Sequence, residues 1–244
     1  MKISKDDMVG AVVAENYQTA AVFERAGIDF CCNGNRSIEA ACEEKKLDTN
    51  KLLSQLEECL AVSNNIASGI SDYKTWPLDL LADYIEKKHH RYVTSQIPVI
   101  SNLLAKIVQV HGQQHPELHG IQQLFHDGAN ELTAHMKKEE AILFPMIRKM
   151  VQANLAGNEN VKNSFGTVQN PIRVMMHEHD TEGERFRKMR ALGNEFVPPA
   201  DACNTYKTAY ASLEAFEKDL HLHIHLENNI LFPGAIEMER AFAG

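Results

Sequence analysis

The sequence lacks any long run of apolar residues and any recognisable leader. No stretch approaches the roughly 18 apolar residues that a membrane-spanning helix needs. The opening segment, MKISKDDMVGAVVAENYQ, is charged, and its apolar run is too short for a signal peptide. Five cysteines, an odd number in a chain of 244 residues, favour reduced thiols over a disulfide framework. These absences predict a soluble cytoplasmic protein that does not enter a membrane.

Positive charge is also scarce. The 25 lysines and arginines face 33 acidic residues, which gives a formal net charge of −8. Such a chain is repelled by a phosphate backbone, so nucleic acid is not expected as a partner. Histidine, by contrast, is abundant: there are 12, most of them in the last two-thirds of the chain.

Residues 1–62 predict a small N-terminal domain of short helices. No segment alternates apolar and polar residues as a strand does, so the whole chain is predicted to be all-α. Ser4, Ser37 and Asp48 are the expected helix starts, and Gly27 is the expected end of the second helix.

The remaining residues predict a helical bundle. The small and polar residues 63–75 predict a linker. From residue 76 to residue 244 the helical periodicity is longer, with helices expected at about 77–110, 117–152, 168–193 and 200–240. Long helices with short connections predict an antiparallel four-helix bundle.

The bundle region contains an internal duplication. HMKKEEAILFP begins at residue 135 and HIHLENNILFP begins 88 positions later, so both copies read H-x-x-x-E-x-x-x-L-F-P. A spacing of four places the histidine and the glutamate of each copy on one helix face, as His135 with Glu139 and His223 with Glu227. The proline of each copy is predicted to bend or end its helix.

Each copy is preceded by a histidine at nearly the same distance. His90 lies 45 residues before His135, and His179 lies 44 residues before His223. The duplicated unit is therefore a helix with one histidine followed by a helix with a histidine and a glutamate. Packing two such units as a bundle brings six residues together: His90, His135, Glu139, His179, His223 and Glu227.

Six convergent ionisable groups predict a metal centre. Burying them without a metal would cost many kcal/mol, since even one unpaired buried carboxylate costs several. The set is too large for one tetrahedral zinc. It suits two ions, each with two histidines and bridged by both glutamates, and these donors favour iron or manganese. We therefore predict two non-haem iron ions with an oxo, hydroxo or water bridge, while manganese or a mixed-metal pair remains open.

Other histidines and carboxylates compete for roles at this centre. A single H-x-x-x-E pair is commonly a surface ion pair, but two copies with matched upstream histidines argue against that alternative. Four histidines adjoin the predicted ligands without matching the repeat: His89, His177, His221 and His225. Four more have no counterpart and are predicted to be solvated or loop residues: His111, His115, His119 and His126.

Glu131 and Glu178 are a separate hypothesis. Each is close in sequence to a predicted ligand. We expect each either to accept a hydrogen bond from a ligand imidazole or to line a path for protons or metal ions. The alternative is a pair of solvent-facing carboxylates.

With these residues, the chain resembles the hemerythrin-like di-iron proteins, and specifically the Repair of Iron Centers family. The resemblance covers nearly the whole chain, through HMKKEEAILFP, MMHEHDTEG and HIHLENNILFP and through AAVFERAGIDFCCNGNRS near the N-terminus. It implies the same six metal ligands. It also implies that the family's carboxylates near the site are Glu131 and Glu178 and that its paired cysteines are Cys31 and Cys32. The chain departs from the family at His225, where a small polar residue would be unremarkable.

The resemblance also implies a function. The expected role is the repair of iron–sulfur clusters damaged by nitrosative or oxidative stress, by donation of iron to damaged iron–sulfur proteins in the cytoplasm. A homodimer is a candidate assembly. Two alternatives stay open: reduction of nitric oxide at the two iron ions, and a sensor that binds dioxygen or nitric oxide.

The adjacent Cys31 and Cys32 have several expected uses. A disulfide between neighbours strains the intervening peptide, so thiol redox chemistry, a bridge between subunits or transient metal contact is favoured. The following Asn33-Gly34 predicts an exposed turn with reachable thiols, and the alternative is a half-buried pair that closes a small core. The other cysteines fall in helical patterns and are predicted to be packing residues: Cys42, Cys59 and Cys203.

Overall fold

The computed structural model describes residues 3–65, 72–157 and 166–242. Residues 66–71, in the middle of the predicted linker, lie outside the described residues. Within the described ranges the regular structure is helical and contains no β-strand, which confirms the all-α prediction. No helix in this part of the chain is long and apolar enough to cross a membrane.

The N-terminal part is built from short helices: α1 (Val9–Glu15), α2 (Ala20–Arg25), α3 (Ile38–Lys45) and α4 (Thr49–Asn65). Two of the predicted caps are present. The Ser37 hydroxyl accepts the backbone N–H of Ala40 at 3.2 Å, and the Asp48 carboxylate accepts that of Asn50 at 2.9 Å. Such caps satisfy backbone donors that a helix start leaves without partners.

The other two boundary residues behave differently. Gly27 follows α2 with a φ of 66°, a left-handed conformation that glycine adopts without strain. The predicted helix start at Ser4 is wrong. The backbone N–H of Ser4 donates to the Asp7 carboxylate at 2.8 Å in a local turn, and α1 begins only at Val9.

The bundle consists of longer helical segments, several of them interrupted by a π turn. The first segment consists of α5 (Leu78–Tyr84), a π turn at Ile85–His90 and α6 (Arg91–His111). The second consists of α7 (Glu117–Lys138), a π turn at Glu139–Leu143 and α8 (Phe144–Leu155), and the third is α9 (Gln169–Leu192). The last consists of α10 (Asn204–Leu226), a π turn at Glu227–Leu231 and α11 (Phe232–Ala241). The helix pairs α6/α7, α7/α9 and α6/α10 pack side by side.

The π turns coincide with the predicted ligands. His90, Glu139 and Glu227 each lie in one of these turns. A π turn is wider than an α-helical turn, and such turns are frequent at functional sites. The prolines that follow two of them, Pro145 and Pro233, do not end their helices, because α8 and α11 continue beyond them.

The hydrophobic core joins the N-terminal part to the bundle. One buried cluster contains Phe23 and Ile38 from the short helices together with Phe186 and Phe216 from α9 and α10. A second cluster, around Phe144 and the other side chains near the π turns, closes the opposite end of the bundle. The N-terminal helices therefore pack directly on the metal-ligand helices.

Candidate metal centre

The structure brings the six predicted ligands together inside the bundle. All six are buried, with both glutamates at 0 % exposure. Their ligand atoms form two groups that share Glu139 and Glu227. His90 and His223 complete the first group, which we call the His90–His223 site. His135 and His179 complete the second, the His135–His179 site.

Each glutamate approaches one histidine from each site. The distances from glutamate oxygen to imidazole Nε2 are 3.4 Å for Glu139–His90, 3.3 Å for Glu139–His135, 3.1 Å for Glu227–His223 and 3.2 Å for Glu227–His179. This is the arrangement that bridging carboxylates need between two adjacent cations. The duplication explains it, because each hairpin supplies one histidine to each site.

Hydrogen bonds on the outer ring nitrogens orient three of the histidines. The Nδ1 atom of His90 lies 2.8 Å from Glu140, and that of His135 lies 2.8 Å from Glu178. The Nδ1 atom of His179 lies 2.9 Å from Asn228 Oδ1. Since these oxygens accept a hydrogen bond, Nδ1 carries the proton of the neutral imidazole, and its Nε2 lone pair points into the centre. Such outer contacts fix the tautomer that a metal ligand requires.

The inward-facing atoms fit a cation and little else. His135 Nε2 and His179 Nε2 lie 3.0 Å apart, so at most one of these two nitrogens can carry a proton between them. Within the described part of the chain, His90 Nε2, both oxygens of Glu139 and one oxygen of Glu227 have no hydrogen-bond partner. Buried polar atoms without partners are costly, and metal coordination would satisfy all of them at once. The residues present therefore fit a pair of metal ions.

Charge at the centre supports the same assignment. Burial lowers the pKa of His135, but the negative charge of the nearby Glu139 and the hydrogen bond to Glu178 outweigh it and raise the pKa to about 10. The hydrogen bond from His135, together with Lys138, lowers the pKa of Glu178 to about 2. A cation that binds at His135 thus replaces a proton in the same electrostatic environment.

The two sites differ in their surroundings. In the residues that the structure describes, the Nδ1 atom of His223 has no partner. Its neighbour is His89, whose ring stacks on His223 at 5.6 Å and whose Nδ1 lies 3.1 Å from Asp219. His89 precedes His90 as Glu178 precedes His179, so an imidazole stands in one half of the duplication where a carboxylate stands in the other.

A cavity of about 250 Å³ borders the His135–His179 site. Glu131, Glu178 and Glu182 contribute carboxylates to its lining. Of the two predicted carboxylates, only Glu178 contacts a ligand imidazole. Glu131 pairs instead with Arg185 at 2.6 Å, and the same arginine lies 3.0 Å from the buried Glu182. In the other site, Phe144 stacks on His90 at 5.5 Å.

The competing histidines lie outside both ligand groups. His177 is exposed, and His221 faces Glu24 at 3.7 Å. His225 is buried between Tyr17 and Phe30 of the N-terminal part, and burial lowers its pKa to about 3. His225 therefore packs at the interface between the N-terminal part and the bundle.

The cysteine pair is less accessible than its sequence suggests. Cys31 is buried and Cys32 is half-buried, so the prediction that both thiols are reachable is wrong, although Asn33 in the turn beside them is exposed. The hydrogen bond that the Cys31 thiol donates to Cys32, together with burial and the charge of Asp29, raises the pKa of Cys31 well above its usual value. The two sulfurs lie 3.6 Å apart beside Asp29, but that carboxylate is already engaged by the backbone N–H groups of both cysteines and by Arg187.

The remaining cysteines follow the packing prediction in part. Cys42 is fully buried and Cys59 packs partly against the core, as predicted. Cys203 is exposed, so its assignment to the core is wrong. It directly precedes α10, where backbone N–H groups and His111, 3.2 Å away, lower its pKa to about 7. A helix start attracts a thiolate through its unpaired N–H groups and its dipole.

Comparison with known proteins agrees with this architecture. Residues 5–60 match the ScdA_N domain of unknown function (DUF542), and residues 81–235 match the hemerythrin HHE cation binding domain. The iron-sulfur cluster repair protein YtfE of Pectobacterium atrosepticum is 35% identical over 236 residues, 96% of this chain and 99% of that protein. The iron-sulfur cluster repair protein ScdA of Staphylococcus haemolyticus is 30% identical over 230 residues, 94% and 98% of the two chains. The chain belongs to the iron-sulfur cluster repair family of these two relatives.

Membership of the iron-sulfur cluster repair family confirms the recognition from sequence, the hemerythrin-like bundle and the small helical domain before it. Two members of the site escaped the sequence analysis: Glu140 and Asn228. They directly follow Glu139 and Glu227, at equivalent positions of the two motif copies. The duplication could have indicated them as a matched pair, although their hydrogen bonds depend on tertiary packing.

Proposed function

We propose that the chain binds two non-haem iron ions, one in each site, and donates iron to repair iron–sulfur clusters damaged by nitrosative or oxidative stress. Its partners are then damaged iron–sulfur proteins. The observation that carries the proposal is a pair of buried ligand groups that share both glutamates. One of these groups, the His135–His179 site, borders the cavity lined by Glu131, Glu178 and Glu182, which we call the acidic cavity. The relatives named for iron–sulfur cluster repair support the same role.

The donor set suits an ion that has to be released. Imidazole and carboxylate bind iron, and ferrous iron stands low in the affinity order of divalent first-row metals. An ion held this way exchanges more readily than copper or zinc would. When bound, the two ions supply redox and Lewis-acid chemistry at the centre.

The surroundings of the His135–His179 site favour release through the cavity. Glu178 orients the His135 ring and remains ionised. The hydrogen bond that it accepts from His135, together with its contact with Lys138, lowers the pKa of Glu178 to about 2. Without a metal ion, the raised pKa of His135 would favour its protonated form, in which Nε2 no longer offers a lone pair. Glu131 and Glu182, held by Arg185, keep carboxylate oxygens beside the cavity to attract the departing cation.

The test uses full-length protein loaded anaerobically with ⁵⁷Fe and mixed with a dehydratase whose cluster has been damaged. We expect dehydratase activity to recover and the ⁵⁷Fe to appear in its cluster by Mössbauer spectroscopy. Glu139→Gln should not support recovery, whereas His177→Ala, at an exposed position on the helix of His179, should behave as the wild type.

Two results would contradict iron donation. One is a recovery no faster than that given by the same amount of free ferrous ion. The other is sustained formation of nitrous oxide by the reduced protein without transfer of ⁵⁷Fe, which would favour reduction of nitric oxide instead.

A further inference from the structure

The side chain of Asn228 connects a metal ligand to the cysteine loop, residues 29–34. Its Oδ1 lies 2.9 Å from His179 Nδ1, and its Nδ2 donates to the carbonyl oxygen of Cys31 at 3.1 Å. Asn228 is only 8% exposed. Because the NH₂ group has to face the Cys31 carbonyl, the amide oxygen has to face His179, and the two hydrogen bonds fix each other.

The cysteine loop makes a second contact with the same ligand. The Cys32 thiol donates to the backbone carbonyl of His179 at 3.4 Å. One turn further along α9, a Cβ atom at Gly183 would lie 3.1 Å from Cys32 Sγ, so a residue without a side chain permits this close approach. The loop therefore touches both the backbone of His179 and the group that orients its ring.

The other copy of the motif lacks this connection. Glu140 occupies the position equivalent to Asn228 and accepts from His90 Nδ1 at 2.8 Å. An ionised carboxylate accepts hydrogen bonds but cannot donate one to a carbonyl oxygen. An amide can do both. The exchange of glutamate for asparagine thus matches the contacts that the cysteine loop makes, in the described part of the chain, with His179 and Asn228.

We propose that Asn228 is a positioning residue that couples docking of the cysteine loop to retention of the metal ion in the His135–His179 site. This inference rests on the proposed metal centre. When the loop is docked, Asn228 holds the His179 ring with its Nε2 lone pair towards the ion. Coupling between two sites is reciprocal, so an ion in this site also holds the loop in place.

Three variants separate the two hydrogen bonds. Asn228→Ala removes both, and Asn228→Asp keeps the acceptor for His179 but loses the donor to Cys31. The matched control is Asn229→Ala, because Asn229 Nδ2 donates to the neighbouring carbonyl of Phe30 at 3.2 Å but contacts no metal ligand. Thermal unfolding of each metal-free variant checks that the fold is retained.

The first readout is release of iron to a ferrous chelator. From Asn228→Ala we expect one of two bound ions to leave about 10–100-fold faster than from the wild type, the usual effect of losing an outer partner of a ligand histidine. Asn228→Asp should restore retention, since a carboxylate orients His90 in the same way. Asn229→Ala should release both ions at the wild-type rate.

The second readout is alkylation of Cys31 and Cys32, resolved by mass spectrometry. In the wild type, iron loading should slow their modification, with the exposed Cys203 as an internal reference in the same chain. In Asn228→Ala and Asn228→Asp, which both lose the donor to Cys31, iron loading should no longer protect these thiols.

The outcomes are distinguishable. Two ions retained with wild-type kinetics in Asn228→Ala, or equal losses in Asn228→Ala and Asn229→Ala, would overturn the coupling and leave the metal centre intact. Thiol protection by iron that survives in Asn228→Asp would overturn the role of the Cys31 hydrogen bond. A wild-type chain that holds no iron would overturn the metal centre itself, and the coupling with it.

Discussion

Glu139→Gln should remove both bound ions, whereas His179→Ala should remove one. Glu139 lies 3.4 Å from His90 and 3.3 Å from His135, so it belongs to both ligand groups. His179 belongs only to the His135–His179 site. Glutamine keeps the shape of the side chain but removes the negative charge that offsets two neighbouring cations. The loss of one bridging carboxylate therefore weakens both sites at once.

The size of the effect follows from binding linkage. At a free ferrous concentration of 100 times Kd, each bound ion stabilises the folded state by about 2.7 kcal/mol. Two ions then contribute about 5 kcal/mol, which raises the melting temperature of a chain of this size by about 10–20 °C. We expect this full shift for the wild type, about half of it for His179→Ala and nearly none for Glu139→Gln.

The assay combines metal content per chain after anaerobic desalting with thermal unfolding in the presence and absence of ferrous iron. His177→Ala is the matched control, because His177 lies on the same helix, two residues before His179, but is exposed. The reasoning would be refuted by a Glu139→Gln protein that retains one ion. It would equally be refuted if Glu139→Gln and His179→Ala showed the same metal-linked shift.

Three further predictions address the surroundings of the centre. Glu178→Gln, which removes the charged partner of His135, should weaken iron binding about 10–100-fold in a chelator titration; Glu131→Gln should not, since Glu131 pairs with an arginine, and equal losses would contradict this assignment. The rate of Cys203 alkylation should rise with pH through a midpoint of about 7, because only the thiolate reacts; a midpoint near 9, the value of an ordinary cysteine, would contradict it. Phe216→Ala should lower the free energy of unfolding by about 3–5 kcal/mol in denaturant titrations, since Phe216 is fully buried. The metal content per folded chain should stay unchanged, and a loss of metal would contradict separate roles for the hydrophobic core and the metal centre.

The duplication made the site predictable because helical geometry is regular. A spacing of four residues puts His135 and Glu139 on one face in any α-helix. Matched distances between His90 and His135 and between His179 and His223 then require the two hairpins to present their ligands at the same level of the bundle. Neither step needs tertiary information, so the convergence of the six residues could be predicted from the sequence alone.

The details that escaped prediction depend on packing between distant segments. Nothing local in AGIDFCCNGNR shows that Cys32 contacts α9 or that Cys31 contacts the turn that follows α10. Cys203 fits a helical pattern, yet it lies just before the helix it was expected to pack within. In the turn at Ser4, the Asp7 carboxylate accepts a hydrogen bond from the backbone N–H of Ser4. The Ser-x-x-Asp sequence permits this bond both in an isolated turn and at a helix start, so the sequence alone does not decide between the two.

The divergence of the two repeats gives the proposed iron donation a physical basis. One site lies behind Phe144 and His89, whereas the other borders the acidic cavity and the cysteine loop. Both sites share the buried carboxylates of Glu139 and Glu227. If both ions left together, these carboxylates would face each other in the core without a cation, at a cost of several kcal/mol. An ion that stays in the His90–His223 site continues to offset both charges, so the His135–His179 site can release its iron while the bundle remains folded.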